Sequence, residues 1–288
     1  MTSLAARDQC GGVVISVAGA PAPAAAAPPP GPVSRPGPRR TARQAGLICG
    51  RQLAILRANP SRLLYPLIQP VVLLVLFLAI FAGLARVPGA TYRQYLVPGI
   101  IVQNVALTAP TVGLGLVLDS VSGITDRFRS LPIARSAVLL GRMLAESLIF
   151  FVQALLVLGV ASLLGFRVRT GLPGMAGIVA VAVAFGVALG ITMCWLALRI
   201  RDPDTAGRAL FLPMVPLTFI SSTFTPIDRL AGWLQPLARA NPVTAAVDLI
   251  RTLADGGPLG REPLYLAVWL VILSVPTGLL AVRRWQAG

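Results

Sequence analysis

The sequence contains neither lysine nor histidine, and all 25 basic residues among its 288 are arginines. A P-loop uses a lysine to reach the terminal phosphates of a nucleotide, so this chain does not supply one. Imidazole metal sites, histidine general bases and Ser–His–Asp triads are excluded for the same reason. The three cysteines (Cys10, Cys49 and Cys194) have no metal-site or disulfide spacing. We therefore predict that the chain is not an enzyme by itself and holds no metal or cofactor.

Charge is also scarce. Only 12% of the residues are charged, 56% are hydrophobic, and the mean hydropathy is +0.78. A soluble domain carries about 25% charged residues, so this composition favours an integral membrane protein. The net charge of +15 comes from arginines spread between apolar runs rather than gathered in a dense patch. Such a pattern indicates membrane topology and not nucleic-acid binding.

Uncharged runs long enough to cross a bilayer as helices occur six times. A crossing needs about 20 apolar residues. The third run is expected to begin earlier, near Ala134, and the fifth is the weakest because Pro213, Pro216 and the polar residues 221–223 interrupt it. The six predicted spans are residues 63–85, 94–118, 147–166, 170–198, 209–227 and 263–282.

The segment before these spans divides into two parts. Residues 1–40 are rich in alanine and proline, which predicts a disordered cytoplasmic tail ahead of a membrane domain at 41–288. A cleaved signal peptide is disfavoured because the apolar stretch 13–17 is too short. In residues 41–58 the basic and aliphatic side chains fall on opposite helical faces, which favours an amphipathic helix in the membrane interface. A solvated linker remains the alternative.

The distribution of arginines predicts the orientation. With the N-terminus inside, sixteen arginines lie on the cytoplasmic side and eight on the outer side, and Arg142 lies within the third span. Cytoplasmic loops are enriched in basic residues. We therefore expect six crossings with both termini in the cytoplasm.

The short loop between the second and third spans mixes charged and apolar residues. A simple connection in water has no need for apolar side chains, whereas a short helix that docks into a groove on a cytosolic partner does. A solvated turn with Phe128 dipping into lipid explains the composition equally well. The candidate partner-binding residues are Asp126, Arg127, Phe128, Arg129, Leu131 and Pro132.

This loop also carries a family resemblance. Residues 123–132, followed by 135–142, resemble the permeases of type-two ABC exporters, most closely the daunorubicin-resistance (Drr) type. Three further segments match the same pattern, and the resemblance covers about residues 43–285. These segments are Tyr95–Ile100, Trp233–Pro236, and Asn241–Thr244 with Asp248 and Arg251.

The resemblance implies an all-α integral membrane fold. It has six transmembrane helices, an N-terminal amphipathic interface helix, and an outer re-entrant helical hairpin at Pro226–Leu253. It also implies a dimer with a second permease chain, identical or different, in a bacterial plasma membrane. A separate cytosolic ABC ATPase subunit binds ATP and Mg and pushes on the loop between spans two and three. The cargo that the resemblance implies is a hydrophobic drug-like or lipid-like compound, with a polysaccharide or glycolipid as the alternative.

Polar residues inside the spans are the remaining candidates. Glu146 is the only carboxylate well inside an apolar run, and Arg142 lies four residues earlier on the same helical face, which favours structural pairing. Gln103 and Asn104 either join helices or line a pathway. An ion-coupled secondary transporter needs a titrating group at mid-membrane, and only Glu146 qualifies. The acidic pair at 202 and 204 indicates a solvated cluster or a second ATPase contact, and lacks the surroundings of an enzyme site.

Overall fold

The computed structural model describes residues 61–81, 91–123 and 135–287, together with scattered residues between 43 and 58 that are all helical. Every regular element in these residues is a helix, as the composition predicts. The predicted tail at 1–40 lies outside the described residues. The helices are α1 (Ser61–Phe81), α2 (Tyr92–Val121), α3 (Arg135–Leu163), α4 (Gly171–Ala197), α5 (Pro203–Phe211), α6 (Met214–Phe219), α7 (Gln235–Arg239), α8 (Pro242–Asp255) and α9 (Glu262–Ala287), with a 3-10 turn at Ile227–Arg229.

Four segments of the described chain are long and apolar enough to cross a membrane. They belong to α2, α3, α4 and α9 and agree with the second, third, fourth and sixth predicted spans. The apolar part of α1, Leu67–Ile80, is shorter than a full crossing. The prediction of an integral membrane protein is confirmed, whereas these helices alone do not reach the predicted count of six.

The fifth predicted span, 209–227, is not one continuous helix. Helix α5 ends at Phe211 and α6 runs only from Met214 to Phe219. Pro213, which precedes α6, has no N–H to donate to the preceding turn, and its ring clashes with the carbonyl four residues earlier. After α6, the polar residues 221–223 are not helical, and they are buried. The interruption anticipated from the prolines is present, and it divides the span into two short helices.

The α5–α6 segment nevertheless runs along α2 over most of its length. A methyl group at Gly113 would come within 3.0 Å of Leu210 in α5, and one at Gly99 within 2.6 Å of the Thr223 carbonyl beyond α6. These two glycines are 14 residues apart, which is about 21 Å along a helix axis. The segment therefore lies antiparallel to α2.

Helix α2 is the centre of the bundle. It packs against α1, α3, α4, α5, α6 and α8, and most of its side chains are buried. The backbones of α2 and α4 approach closely at Gly113, which has no side chain. A Cβ at this position would lie 2.6 Å from the carbonyl oxygen of Met193 in α4. Small residues at such crossings let membrane helices approach closely.

The loop 164–170 defines one end of the bundle. Arg93, at the start of α2, donates a 2.6 Å hydrogen bond to the carbonyl of Leu164. Thr170 donates one of 2.6 Å to the carbonyl of Leu253, near the end of α8. This end, called the 164–170 end below, gathers the start of α2, the end of α3, the start of α4 and the end of α8. Asp119 lies near the other end of α2, which we call the Asp119 end.

Candidate functional site

The six candidate partner-binding residues, Asp126, Arg127, Phe128, Arg129, Leu131 and Pro132, lie outside the described residues. The structure does describe both flanks of their segment. Helix α2 ends at Val121 and α3 begins at Arg135. The predicted contact segment therefore joins two long neighbouring helices at the Asp119 end.

Arg142 lies two turns after the start of α3 and forms an ion pair with Asp119 of α2. Its Nη1 donates to Asp119 Oδ2 over 2.7 Å, and the two side chains are 11% and 30% exposed. The guanidinium lies directly against Gly115, where any Cβ would collide with Nη2. Sequence spacing placed Arg142 beside Glu146 on one face of α3. In the structure, however, Arg142 forms its salt bridge with Asp119 on α2. The sequence rule considered only neighbours within one helix, so Asp119 was missed.

Glu146 lies one turn beyond Arg142 on α3 and is half-buried. It is within electrostatic range of Arg142 and of the buried Cys194 of α4. Glu146 thus belongs to the same charged group near the Asp119 end. Its neighbours in that group are the guanidinium bound to Asp119 and the Cys194 side chain.

Gln103 and Asn104 are packed inside the bundle, with exposures of 4% and 7%. Within the described residues, Gln103 Oε1 and Asn104 Nδ2 have no hydrogen-bond partner. A nearby bond joins α2 to α3: Gln153 Nε2 donates to Thr108 Oγ1 over 3.2 Å, and Thr108 donates back to the Asn104 carbonyl. These polar groups lie among packed helices of a single chain.

A denser polar network lies near the 164–170 end, around Arg251 of α8. Its guanidinium donates to the carbonyl of Ser222 over 2.6 Å, to Asp248 over 3.0 Å and to the carbonyl of Tyr95 over 3.2 Å. The Tyr95 hydroxyl donates to the same Ser222 carbonyl over 2.7 Å. The loop after α6 is thereby tied to α8 and to the start of α2. Sequence analysis identified Asp248 and Arg251 through the family resemblance. It considered Ser222 only as one of the polar residues that interrupt the fifth span.

Asn241 supports the same loop from the other side. Its Oδ1 accepts from the Val243 N–H and caps α8, while its Nδ2 donates to the carbonyls of Leu217 and Ile220 over 2.7 and 2.5 Å. An N-cap side chain satisfies a backbone donor that the helix leaves unpaired. Here one amide caps α8 and also satisfies two carbonyls at the end of α6. Asn241 therefore fixes where the α5–α6 segment meets α8.

The acidic pair at 202 and 204 has a structural role in α5. Asp202 is the N-cap, accepting from the Thr205 N–H over 2.7 Å, and the hydrogen bonding with Thr205 lowers the pKa of its carboxyl. Asp204 lies in the first turn, where a negative charge complements the helix dipole. Both acidic side chains therefore stabilise the exposed first turn of α5, and this explains why two acidic residues lie there.

The geometry defines a class of protein: a multi-pass helical membrane protein with an ion pair between two long helices at one end and a hydrogen-bonded network at the other. The chain matches the ABC-2 type transporter family over residues 43–254 and belongs to that family. Its structure is therefore that of a membrane transport subunit rather than of a soluble enzyme.

Three relatives illustrate the similarity. The daunorubicin resistance ABC transporter permease protein DrrB1 of Streptomyces coeruleorubidus is 29% identical over 234 residues, covering 81% of this chain and 80% of the relative. The "Probable doxorubicin resistance ABC transporter permease protein DrrC" of Mycobacterium tuberculosis is 27% identical over 215 residues, 73% and 78% of the two chains. DrrB of the same organism, a doxorubicin resistance ABC transporter permease protein, is 26% identical over 266 residues, 84% and 92%.

Proposed function

We propose that the chain is the transmembrane permease subunit of an ATP-driven efflux transporter for a hydrophobic drug-like or lipid-like compound. The observation that carries this proposal is the ABC-2 family match over 43–254, which includes α1 to α7, nearly all of α8 and the Asp119–Arg142 pair. Two of the relatives are named daunorubicin and doxorubicin resistance permeases, which supports a drug-like cargo. Polysaccharide or glycolipid export on the same scaffold is the less favoured cargo class.

The topology has six crossings. Four are the long apolar helices α2, α3, α4 and α9, and the other two are α1 and the α5–α6 segment. The path of α5–α6 along some 21 Å of α2 supports counting it as a crossing. With six crossings and the arginine-rich side inside, both termini lie in the cytoplasm. The Asp119 end is then cytoplasmic, and the 164–170 end faces outward with the hairpin at 226–253.

Energy comes from a separate cytosolic ATPase subunit, which binds ATP and Mg and contacts the permease through residues 126–132. The position of this segment between α2 and α3 supports that role, because α2 packs against six other helices of the bundle. A push delivered there reaches most of the molecule. A second permease chain, identical or different, completes the transporter in the plasma membrane.

Gln103 and Asn104 are buried packing residues rather than cargo contacts. Both are more than nine-tenths buried within one chain, as a packing role requires. Glu146 is also structural, because it is part of a charged group that includes the Asp119–Arg142 pair. This arrangement favours ATP-driven export over an ion-coupled secondary transporter.

Co-purification tests the proposal directly. The detergent-solubilised chain is incubated with the ATPase encoded beside it, alongside Phe128→Ala and Arg129→Ala. The matched controls, Trp233→Ala and Arg261→Ala, truncate exposed residues near the opposite end. We expect wild type and both controls to retain the ATPase and the two loop variants to lose most of it. ATP-independent transport by a chain that binds no ATPase would contradict the proposal.

A further inference from the structure

The flanks of the segment 122–134 are joined by a charged contact. Asp119 lies three residues before its start and Arg142 eight residues after its end. The 2.7 Å ion pair between them joins the two helices that flank the segment. Among the described residues it is the only salt bridge that joins two of the long helices.

The site leaves room for an arginine side chain beside Gly115, with Nη2 nearest to the glycine. The guanidinium occupies the space over Gly115 that any other residue would fill with its Cβ. Only 11% of the Arg142 side chain is exposed, so water screens the pair weakly. A charge-assisted contact of this length is stronger and more directional than a neutral hydrogen bond.

The pair is costly for a purely structural contact. Arg142 Nε is buried and has no partner within the described residues. Buried ion pairs are often no more stabilising than apolar packing of the same volume, because both ions lose their hydration. A buried cation with one unsatisfied N–H therefore points to a role other than stability.

Elsewhere, a neutral bond joins the same two helices. Gln153 donates to Thr108 over 3.2 Å in the middle of the bundle. That bond lies far from the segment 122–134 and carries no formal charge. Comparing the two contacts therefore separates the effect of joining α2 to α3 from the effect of joining them beside the segment 122–134.

We propose that Asp119 and Arg142 form a clamp that makes α2 and α3 move as one body when the ATPase pushes on the segment between them. The inference rests on the proposed function. Both are positioning residues, which act through the helices and not on cargo or nucleotide. Without the clamp, the push separates the two helix ends, and ATP hydrolysis proceeds without transport.

The test uses the permease reconstituted with its ATPase in proteoliposomes, with daunorubicin as the fluorescent cargo probe. Wild type is compared with Asp119→Asn, Arg142→Gln and Gly115→Ala, and Thr108→Val is the control for a contact that only joins the helices. We expect all four variants to bind the ATPase and hydrolyse ATP within twofold of wild type. Transport per ATP should fall at least tenfold in the first three and stay near wild type in Thr108→Val.

A linker experiment separates coupling from misfolding. Asp119→Cys and Arg142→Cys are combined in a chain whose native cysteines are replaced. A short bis-methanethiosulfonate linker is added, which forms a reducible disulfide with each thiol and releases methanesulfinate. We expect transport per ATP to be low before linkage, to recover at least fivefold after it, and to fall again on reduction. No recovery, or single variants with wild-type coupling, would overturn the clamp alone. A wild-type complex that neither assembles nor transports would overturn the proposed function, and the clamp with it.

Discussion

The guanidinium carbon of Arg251 lies 3.8 Å from the centroid of the Tyr95 ring, although 156 residues separate the two in sequence. The same guanidinium donates to the Tyr95 carbonyl, so it contacts both the ring and the backbone of the first turn of α2. Its remaining bonds go to Ser222 and Asp248. One side chain therefore holds α8, α2 and the loop after α6 in a fixed relation.

Replacing Arg251 with lysine tests that relation while keeping the charge. A lysine has no planar fork, so it can pair with Asp248 but cannot also bind the Tyr95 and Ser222 carbonyls. We expect the free energy of unfolding in detergent to fall by about 2 kcal/mol, since hydrogen bonds to charged groups are lost. Arg261→Lys is the control, because Arg261 is exposed. Equal losses in the two variants would show that the network contributes nothing beyond the charge.

Sequence analysis predicted the features that depend on residues close together in the chain and missed those that depend on distant ones. Pro213 and Pro216 interrupt the helix that contains them, so the sequence alone predicted that the fifth span would be weak. Arg142 was assigned a neighbour four residues away, whereas Asp119 is 23 residues away and reaches it only because α2 and α3 pack side by side. Ser222 gave no signal of its own, since its role depends on Arg251 in a later helix.

Gly113 allows α2 and α4 to approach closely. A Cβ there would lie 2.6 Å from the Met193 carbonyl oxygen, a backbone atom that cannot move without shifting α4. We expect Gly113→Ala to lower the free energy of unfolding by about 1–3 kcal/mol, as overpacking does. Gly159→Ala in α3 is the matched control, because nothing lies within 4 Å of its Cβ position and it should be neutral or stabilising. Comparable losses in both would mean that helix packing does not depend on Gly113.

Asn241 has two roles that one substitution can separate. Asn241→Asp keeps an oxygen to cap α8 but replaces the Nδ2 donor with an acceptor facing the Leu217 and Ile220 carbonyls. We expect Asn241→Asp to destabilise the fold as much as Asn241→Ala, by about 2 kcal/mol or more, because the buried carbonyls lose their donor in both. At the exposed N-cap of α5, Asp202→Asn should have little effect, because asparagine caps as well as aspartate. Thermal unfolding of the four proteins in detergent measures this. If Asn241→Asp were as stable as wild type, Asn241 would contribute to stability only by capping α8.

The number of crossings determines whether Ser122 and Leu259 face the same side of the membrane. Both are exposed, one just after α2 and the other between α8 and α9. If α5–α6 crosses, three crossings separate them and they lie on opposite sides; if only the long helices α3 and α4 cross between them, they lie on the same side. We expect a membrane-impermeant maleimide to label Leu259→Cys in intact cells and Ser122→Cys only in inverted vesicles, in a chain without its native cysteines. Labelling of both from one side would exclude the crossing at α5–α6. Labelling of Ser122→Cys alone in intact cells would keep that crossing and reverse the orientation inferred from the arginines.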